Sequence, residues 1–163
     1  MAKSSIEKTN VMRLLDQKMV PYTPHTYPHG DDAVDGVTVA QMTGMDPAKV
    51  FKTLVARGAS KTPYVFVIPV ACELDLKKAA KAVGEKSIAM LHVSELTTLT
   101  GYVRGGCSPV GMKKQLRTVF ASQALAQETI LVSAGKIGYQ VEVAPQALIA
   151  LVRAGTAELT IES

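Results

Sequence analysis

Val50-Phe51-Lys52-Thr53-Leu54-Val55-Ala56, then Arg57-Gly58-Ala59-Ser60-Lys61, then Tyr64-Val65-Phe66-Val67-Ile68-Pro69-Val70 is the stretch on which the fold turns. Its two flanks are rich in β-branched and aromatic residues, which suit a pleated, half-buried surface. The five residues between them read as a turn. Two strands this close in sequence pair as an antiparallel hairpin.

Downstream, Asp75 is placed to cap a helix running to about Val83 and stopped by Gly84. Ser87–Leu91 is a short strand candidate, and Ser94 caps a brief helix ending before Gly101. Further strands are expected at Leu116–Ala121, Thr129–Ser133 and Tyr139–Val143. Pro145 opens a last helix, closed by Gly155 and followed by a short tail strand. Upstream, Asp46-Pro47 is a cap with proline at the first helical position, and Thr38 with Gln41 has capping-box spacing, closed by Gly44. Val20–Tyr27, with Pro21 and Pro24, reads as an edge strand or extended arm. Ser5 caps a first helix reaching about Gln17. Strands do not alternate strictly with helices, so the expectation is an α+β fold, a mixed and mainly antiparallel sheet with helices around it. No repeat or linker divides residues 1–163, which are read as one domain.

The 163 residues are 47% hydrophobic and 20% charged, ordinary globular material. No apolar run approaches the roughly 18 residues that would span a bilayer. Met1-Ala2-Lys3-Ser4-Ser5 lacks the apolar stretch of a signal peptide. Cys72 and Cys107 alone make a disulfide scaffold a poor reading, and two free thiols in a cytoplasmic protein are expected. A net charge of +4 favours contact with a polyanion such as nucleic acid without requiring it. Nothing in the sequence specifies an oligomeric state.

Several chemistries lack their residues. Gly106–Lys113 has the glycines of a phosphate loop, but Lys113 is followed by Lys114 instead of the Ser or Thr that would ligate magnesium. His25 and His29 are four apart with Pro28 between them, so they read as surface histidines on an extended arm and not as metal ligands. His92 stands alone, no Gly-x-Ser-x-Gly elbow occurs, and neither cysteine has a histidine nearby in sequence. No metal and no cofactor is expected.

Three features remain. Alternation puts Phe51, Thr53 and Val55 on one face of their strand and Lys52 and Leu54 on the other. Lys52 is then either an edge lysine reaching water or an ammonium aimed into a cleft. Gly101-Tyr102-Val103-Arg104-Gly105-Gly106-Cys107-Ser108-Pro109-Val110-Gly111 is either an ordinary glycine-rich turn or a loop whose N–H groups meet an ester oxygen. Ser133-Ala134-Gly135-Lys136-Ile137-Gly138 is either a hairpin loop or a second polar wall.

Taken together, Phe-Lys-Thr-Leu at 51–54, Leu-Asp-Leu-Lys-Lys-Ala-Ala-Lys at 74–81, Thr-Gly-Tyr-Val at 100–103, Gly-Gly-Cys-Ser-Pro-Val-Gly at 105–111 and Val-Ser-Ala-Gly-Lys at 132–136 closely resemble the YbaK/EbsC family, from about His25 to the last helix. These are free-standing relatives of the editing domain of bacterial prolyl-tRNA synthetases. The resemblance implies that family's fold, with a barrel-like core, and hydrolysis of aminoacyl-tRNA. Ser-Pro-Val-Gly followed by Lys113-Lys114 looks like the branch acting on cysteinyl-tRNA(Pro), where the substrate's own thiol attacks the ester. Alanyl-tRNA(Pro) deacylation and a non-catalytic tRNA- or synthetase-binding module are the alternatives. By similarity Lys52 is the catalytic lysine, while Tyr27, Thr53, Gly105, Gly106, Ser108, Ser133 and Gly135 are substrate-binding residues. The tRNA(Pro) 3′ end and prolyl-tRNA synthetase are the implied partners, without a membrane. Cys107 stands where the motif usually has an aliphatic residue and reads as packing. The sequence departs from the pattern at Gln140, where an acidic residue is common.

Overall fold

A computed structural model of the chain describes residues 7–28 and 36–161. The first helix, α1 (Asn10–Gln17), is followed by strand β1 (Thr23–Thr26), helix α2 (Gly36–Thr43) and a 3-10 turn at Pro47–Lys49. The decisive stretch forms β2 (Phe51–Gly58) and β3 (Pro63–Pro69), followed by α3 (Leu76–Val83), β4 (Ile88–Met90) and α4 (Val93–Thr100). The chain continues with β5 (Arg117–Ala121), a 3-10 turn at Ser122–Ala126, β6 (Ile130–Ser133), β7 (Tyr139–Val143), α5 (Pro145–Val152) and β8 (Gly155–Ala157).

The hairpin is in place: β2 and β3 pair antiparallel with Lys52 opposite Ile68 and Leu54 opposite Phe66. It is the middle of a five-stranded sheet ordered β4-β2-β3-β5-β8, in which β5 and β8 are added in parallel. A three-stranded antiparallel sheet, β1-β7-β6, lies beside it. A parallel bridge between Val50 and Leu131 joins the two at the start of β2. The sheets meet at this corner and do not close, so the barrel-like core expected from the resemblance is two joined sheets. The α+β reading stands, mixed and mainly antiparallel.

The hydrophobic core draws Val11, Met12 and Leu15 from α1, Ala79, Ala80 and Val83 from α3, and Leu148 and Val152 from α5 onto both sheets. Burial of such side chains, each contributing about 1.5–3 kcal/mol, is the main force holding the layers together. A second, smaller cluster joins Ala40 of α2 to Val50, Val70 and Leu131, at the corner where the sheets meet.

Several helix starts differ from the sequence reading. Thr9, not Ser5, caps α1, accepting the N–H of Met12; Ser5 and His29 lie outside the described residues. Thr38 lies inside α2, so that helix starts earlier than the capping box implies. Ser94 likewise falls in the first turn of α4, with His92 at the cap. Arg153, with φ 57, ends α5 in the left-handed region, and Gly155 instead begins β8. Helix ends fray, and they are the part of a helix that local signals fix least well. Asp75 and Asp46 cap as expected, and Gly84 takes φ 74 at the end of α3. Pro24 sits in an edge strand, where its missing N–H is harmless.

Candidate functional site

The corner where the sheets join lines up four polar side chains. From the parallel bridge Val50–Leu131, each chain advances two residues, bringing Lys52 alongside Ser133. Ser133 pairs with Gln140, and Gln140 pairs with His25. Cross-strand partners point to the same side of a sheet. Val50 and Leu131, one step back, turn into the cluster beneath α2. Alternation therefore puts Lys52, Ser133, Gln140 and His25 on that same face.

Lys52 is half-buried and has no side-chain partner among the described residues. Its ammonium is thus open to another group. Ser133 turns its hydroxyl oxygen to the N–H of Gly135 at 3.1 Å, which shapes the turn between β6 and β7. Thr53 faces the opposite side of β2 from Lys52, and its hydroxyl oxygen is buried with no hydrogen-bond partner among the described residues. The amide oxygen of Gln140 is in the same condition. A buried polar atom left without a partner costs about 1–3 kcal/mol, so two at one corner stand out.

The glycine loop after α4 reaches the same turn from the other side. A Cβ on Gly106 would stand 3.1 Å from the backbone nitrogen of Ile137 and 3.3 Å from the carbonyl carbon of Lys136, so the two loops touch backbone to backbone. Tyr102 pins them: its hydroxyl donates to the carbonyl of Val110, and its ring lies against Gly135, which takes φ 93. A Cβ there would meet Tyr102 Cε1 at 3.0 Å and Val11 Cγ2 at 3.1 Å. Gly105 is exposed and Gly106 buried. Ser108 is fully buried and accepts the N–H of Val110 at 3.2 Å, so its hydroxyl oxygen builds the loop. Tyr27 is buried, and its N–H donates to the carbonyl of Gly138 at 2.9 Å. The β6–β7 turn is thus the meeting point: Lys52 stands at its beginning, Gly105-Gly106 at its crest and Tyr27 at its end.

Behind this turn Glu142 gathers three donors. Its carboxylate accepts from Thr129 Oγ1, from His25 Nε2 at 2.9 Å and from Lys49 Nζ at 3.1 Å. The hydrogen bond from Thr129, followed by those from His25 and Lys49, holds its pKa down to about 2 from 4.5 against the opposing effect of burial. His25 is therefore half-buried and tied in, not the free surface histidine its sequence context implies. The only sign of Glu142 in the sequence is a lone carboxylate in Tyr-Gln-Val-Glu-Val, two residues from Gln140 and so on its face.

Cys107 is not poised as a nucleophile. It is 7% exposed, and burial pushes its thiol up to about 12, leaving it protonated at neutral pH. A crevice of about 410 Å³ opens between Gln115–Arg117 and Leu151–Arg153, and none of the candidate residues lines it. The chemistry available at the corner is therefore an ammonium, loop N–H groups and hydrogen-bonding side chains.

The family model of the aminoacyl-tRNA editing domain matches residues 31–151. The chain belongs to this family. The editing domain is 46% identical over 158 residues to a protein of Enterococcus faecalis described as a candidate Cys-tRNA(Pro)/Cys-tRNA(Cys) deacylase, EbsC, covering 97% of this chain and 96% of that one. Among solved structures, it matches a candidate trans-editing enzyme for prolyl-tRNA synthetase with a TM-score of 0.80 and 24% identity, covering 93% of this chain and 95% of the other. The hypothetical protein APE2540 matches with a TM-score of 0.82 and 20% identity, covering 93% of this chain and 99% of the other. At those identities the two structures speak for the fold of the editing domain. No helix among the described residues is long and apolar enough to cross a membrane.

Proposed function

We propose that the protein is an editing deacylase that removes cysteine from cysteinyl-tRNA(Pro), working in the cytoplasm and in concert with prolyl-tRNA synthetase. The observation that carries this reading is the unpaired Lys52 ammonium beside Ser133 at the β6–β7 turn, with the Gly105-Gly106 loop against the crest of the same turn. The 46% identity to EbsC supports the choice of aminoacyl group.

The reaction draws its nucleophile from the substrate. The cysteinyl sulfur attacks the ester carbonyl carbon, the ester C–O bond breaks, and the thiol proton goes to the leaving ribose oxygen. The products are free tRNA and a cyclic thioester, which water opens to cysteine. Holding a thiol against its own ester supplies about 7–11 kcal/mol of effective concentration once the geometry is right. The protein then contributes orientation and charge. Lys52 faces the negative charge that develops on the ester oxygens, and N–H groups of the Gly105-Gly106 loop bind the carbonyl oxygen as it becomes an oxyanion. Tyr27, Ser133 and Gly135 shape the aminoacyl pocket, Thr53 backs Lys52 from the opposite face of β2 instead of lining the pocket, and Ser108 acts by fixing the loop.

Deacylation of cysteinyl-, alanyl- and seryl-tRNA(Pro) by the wild type and Lys52→Ala tests this. Turnover of the cysteinyl ester alone, abolished in Lys52→Ala with an unchanged circular dichroism spectrum, is expected. Equal turnover of alanyl-tRNA(Pro) removes thiol attack, and equal rates for wild type and Lys52→Ala remove the role of Lys52. Salt-dependent binding of charged tRNA without ester loss replaces the enzyme with a binding module.

A further inference from the structure

Gln140 is the buried polar group that the chemistry above leaves unused. It is 6% exposed, and its amide oxygen has no hydrogen-bond partner among the described residues. Its backbone is fixed on both sides, opposite Ser133 and opposite His25, so its side chain is held on the face that carries Lys52. The neighbouring acceptors are occupied. Glu142 already receives Thr129, His25 and Lys49, and the Ser133 hydroxyl oxygen receives the N–H of Gly135. Buried acceptors are nearly always paired in native structures, so an unpaired one calls for an explanation, and a bound group that brings the donor is one.

A cysteinyl ester carries such a donor. Its α-amino group is bonded to the carbon next to the reacting carbonyl and arrives as an ammonium with three N–H bonds. Lys52 repels it, and Glu142 has its partners, which leaves the amide oxygen of Gln140 as the buried, unpaired side-chain acceptor on this face among the described residues. We propose that Gln140 is a positioning residue that takes the substrate's α-ammonium through Oε1, so fixing the carbonyl between Lys52 and the glycine loop and turning the thiol towards it. This rests on the deacylase reading. The neutral amide oxygen is a sufficient acceptor for the incoming ammonium.

The test compares cysteinyl-tRNA(Pro) with N-acetyl-cysteinyl-tRNA(Pro), whose nitrogen is no longer an ammonium, in single-turnover reactions. Each rate is divided by the spontaneous hydrolysis rate of the same ester. The wild type is expected to lose about 10- to 100-fold on acetylation, as the loss of a charge-assisted hydrogen bond implies. Gln140→Met is expected to be slowed by a similar factor on the free amine and to lose little more on acetylation. Gln140→Asn, which draws the oxygen back by one carbon–carbon bond, serves as a second variant should Gln140→Met unfold. Gln140→Glu, which keeps an acceptor in place, is expected to retain the discrimination. The same acetylation penalty in wild type, Gln140→Met and Gln140→Asn overturns the proposal while the deacylase stands, as does a wild type that hydrolyses both esters equally. A wild type that releases no cysteine from either ester overturns the deacylase reading, and this proposal with it.

Discussion

Replacing Glu142 by glutamine should loosen three chain segments at once. The carboxylate accepts from Thr129 just before β6, from His25 on β1 and from Lys49 just before β2. Its pKa, lowered from 4.5 to about 2 chiefly by the Thr129 hydrogen bond, measures how strongly the fold prefers the ionised form. At about 1.4 kcal/mol per tenfold change, that preference is worth about 3 kcal/mol. Solvent at a side chain 20% exposed brings the effect on folding to about 2 kcal/mol. A folded-state pKa below the unfolded one means that this stability is fully present above pH 4.5 and is lost as pH falls towards about 2. With a urea slope of about 2 kcal/mol per molar, the midpoint of Glu142→Gln at pH 7 should lie about 1 M below that of the wild type. Between pH 5 and 2 the two midpoints should converge, because the wild type loses a carboxylate that the variant never had. Parallel curves over that range would refute the linkage.

Three further outcomes follow from the loops and thiols. Gly135→Ala forces a side chain into φ 93 and against Tyr102 and Val11, and is expected to cost about 2 kcal/mol or more in urea unfolding and to slow deacylation. Tyr102→Phe removes the donor to the Val110 carbonyl while keeping the ring, so it should cost about 1 kcal/mol in urea unfolding and reduce deacylation less than Gly135→Ala. Iodoacetamide should alkylate half-buried Cys72 before buried Cys107, read by peptide mass, and Cys107→Ala should keep its turnover within a few-fold. Loss of activity in a folded Cys107→Ala would reinstate a protein nucleophile.

The fold was legible where pattern and packing agree. The β2–β3 hairpin lies where its β-branched residues put it, and Asp75 caps α3 because its carboxylate meets two orphan N–H groups, those of Lys77 and Lys78. Helix starts went astray where a residue able to cap stands inside the first turn instead of before it, as at Thr38 and Ser94. The site was legible only as separate pieces. Local spacing marks Lys52, Gly106 and Ser133 but cannot place them together, because the contact between β2 and β6 joins residues about eighty positions apart. Glu142 left almost no local mark, since its partners come from residues 25, 49 and 129. Ser108 shows the converse: a serine between glycines resembles a ligand contact in sequence, yet its oxygen closes its own loop.

Glu142 also explains how a site with no nucleophile of its own could hold tolerances narrow enough for catalysis. Each of its three donors stands a few residues ahead of a candidate site residue: His25 before Tyr27, Lys49 before Lys52, and Thr129 before Ser133. One carboxylate therefore fixes the starting points of three segments that converge on the β6–β7 turn, and Tyr102 fixes the fourth, the glycine loop. Substrate-assisted attack gains its rate from geometry, and a misplacement of about 1 Å is enough to cost about a hundredfold. Charge on Glu142 and rate at the ester should accordingly fall together. The folded carboxylate keeps its charge until the pH nears about 2, so deacylation by the wild type should hold below pH 4.5 while its folding midpoint falls, and Glu142→Gln, already loosened, should be slower at pH 7. A variant as fast as the wild type at pH 7 would show that the clasp stabilises the fold without setting the site.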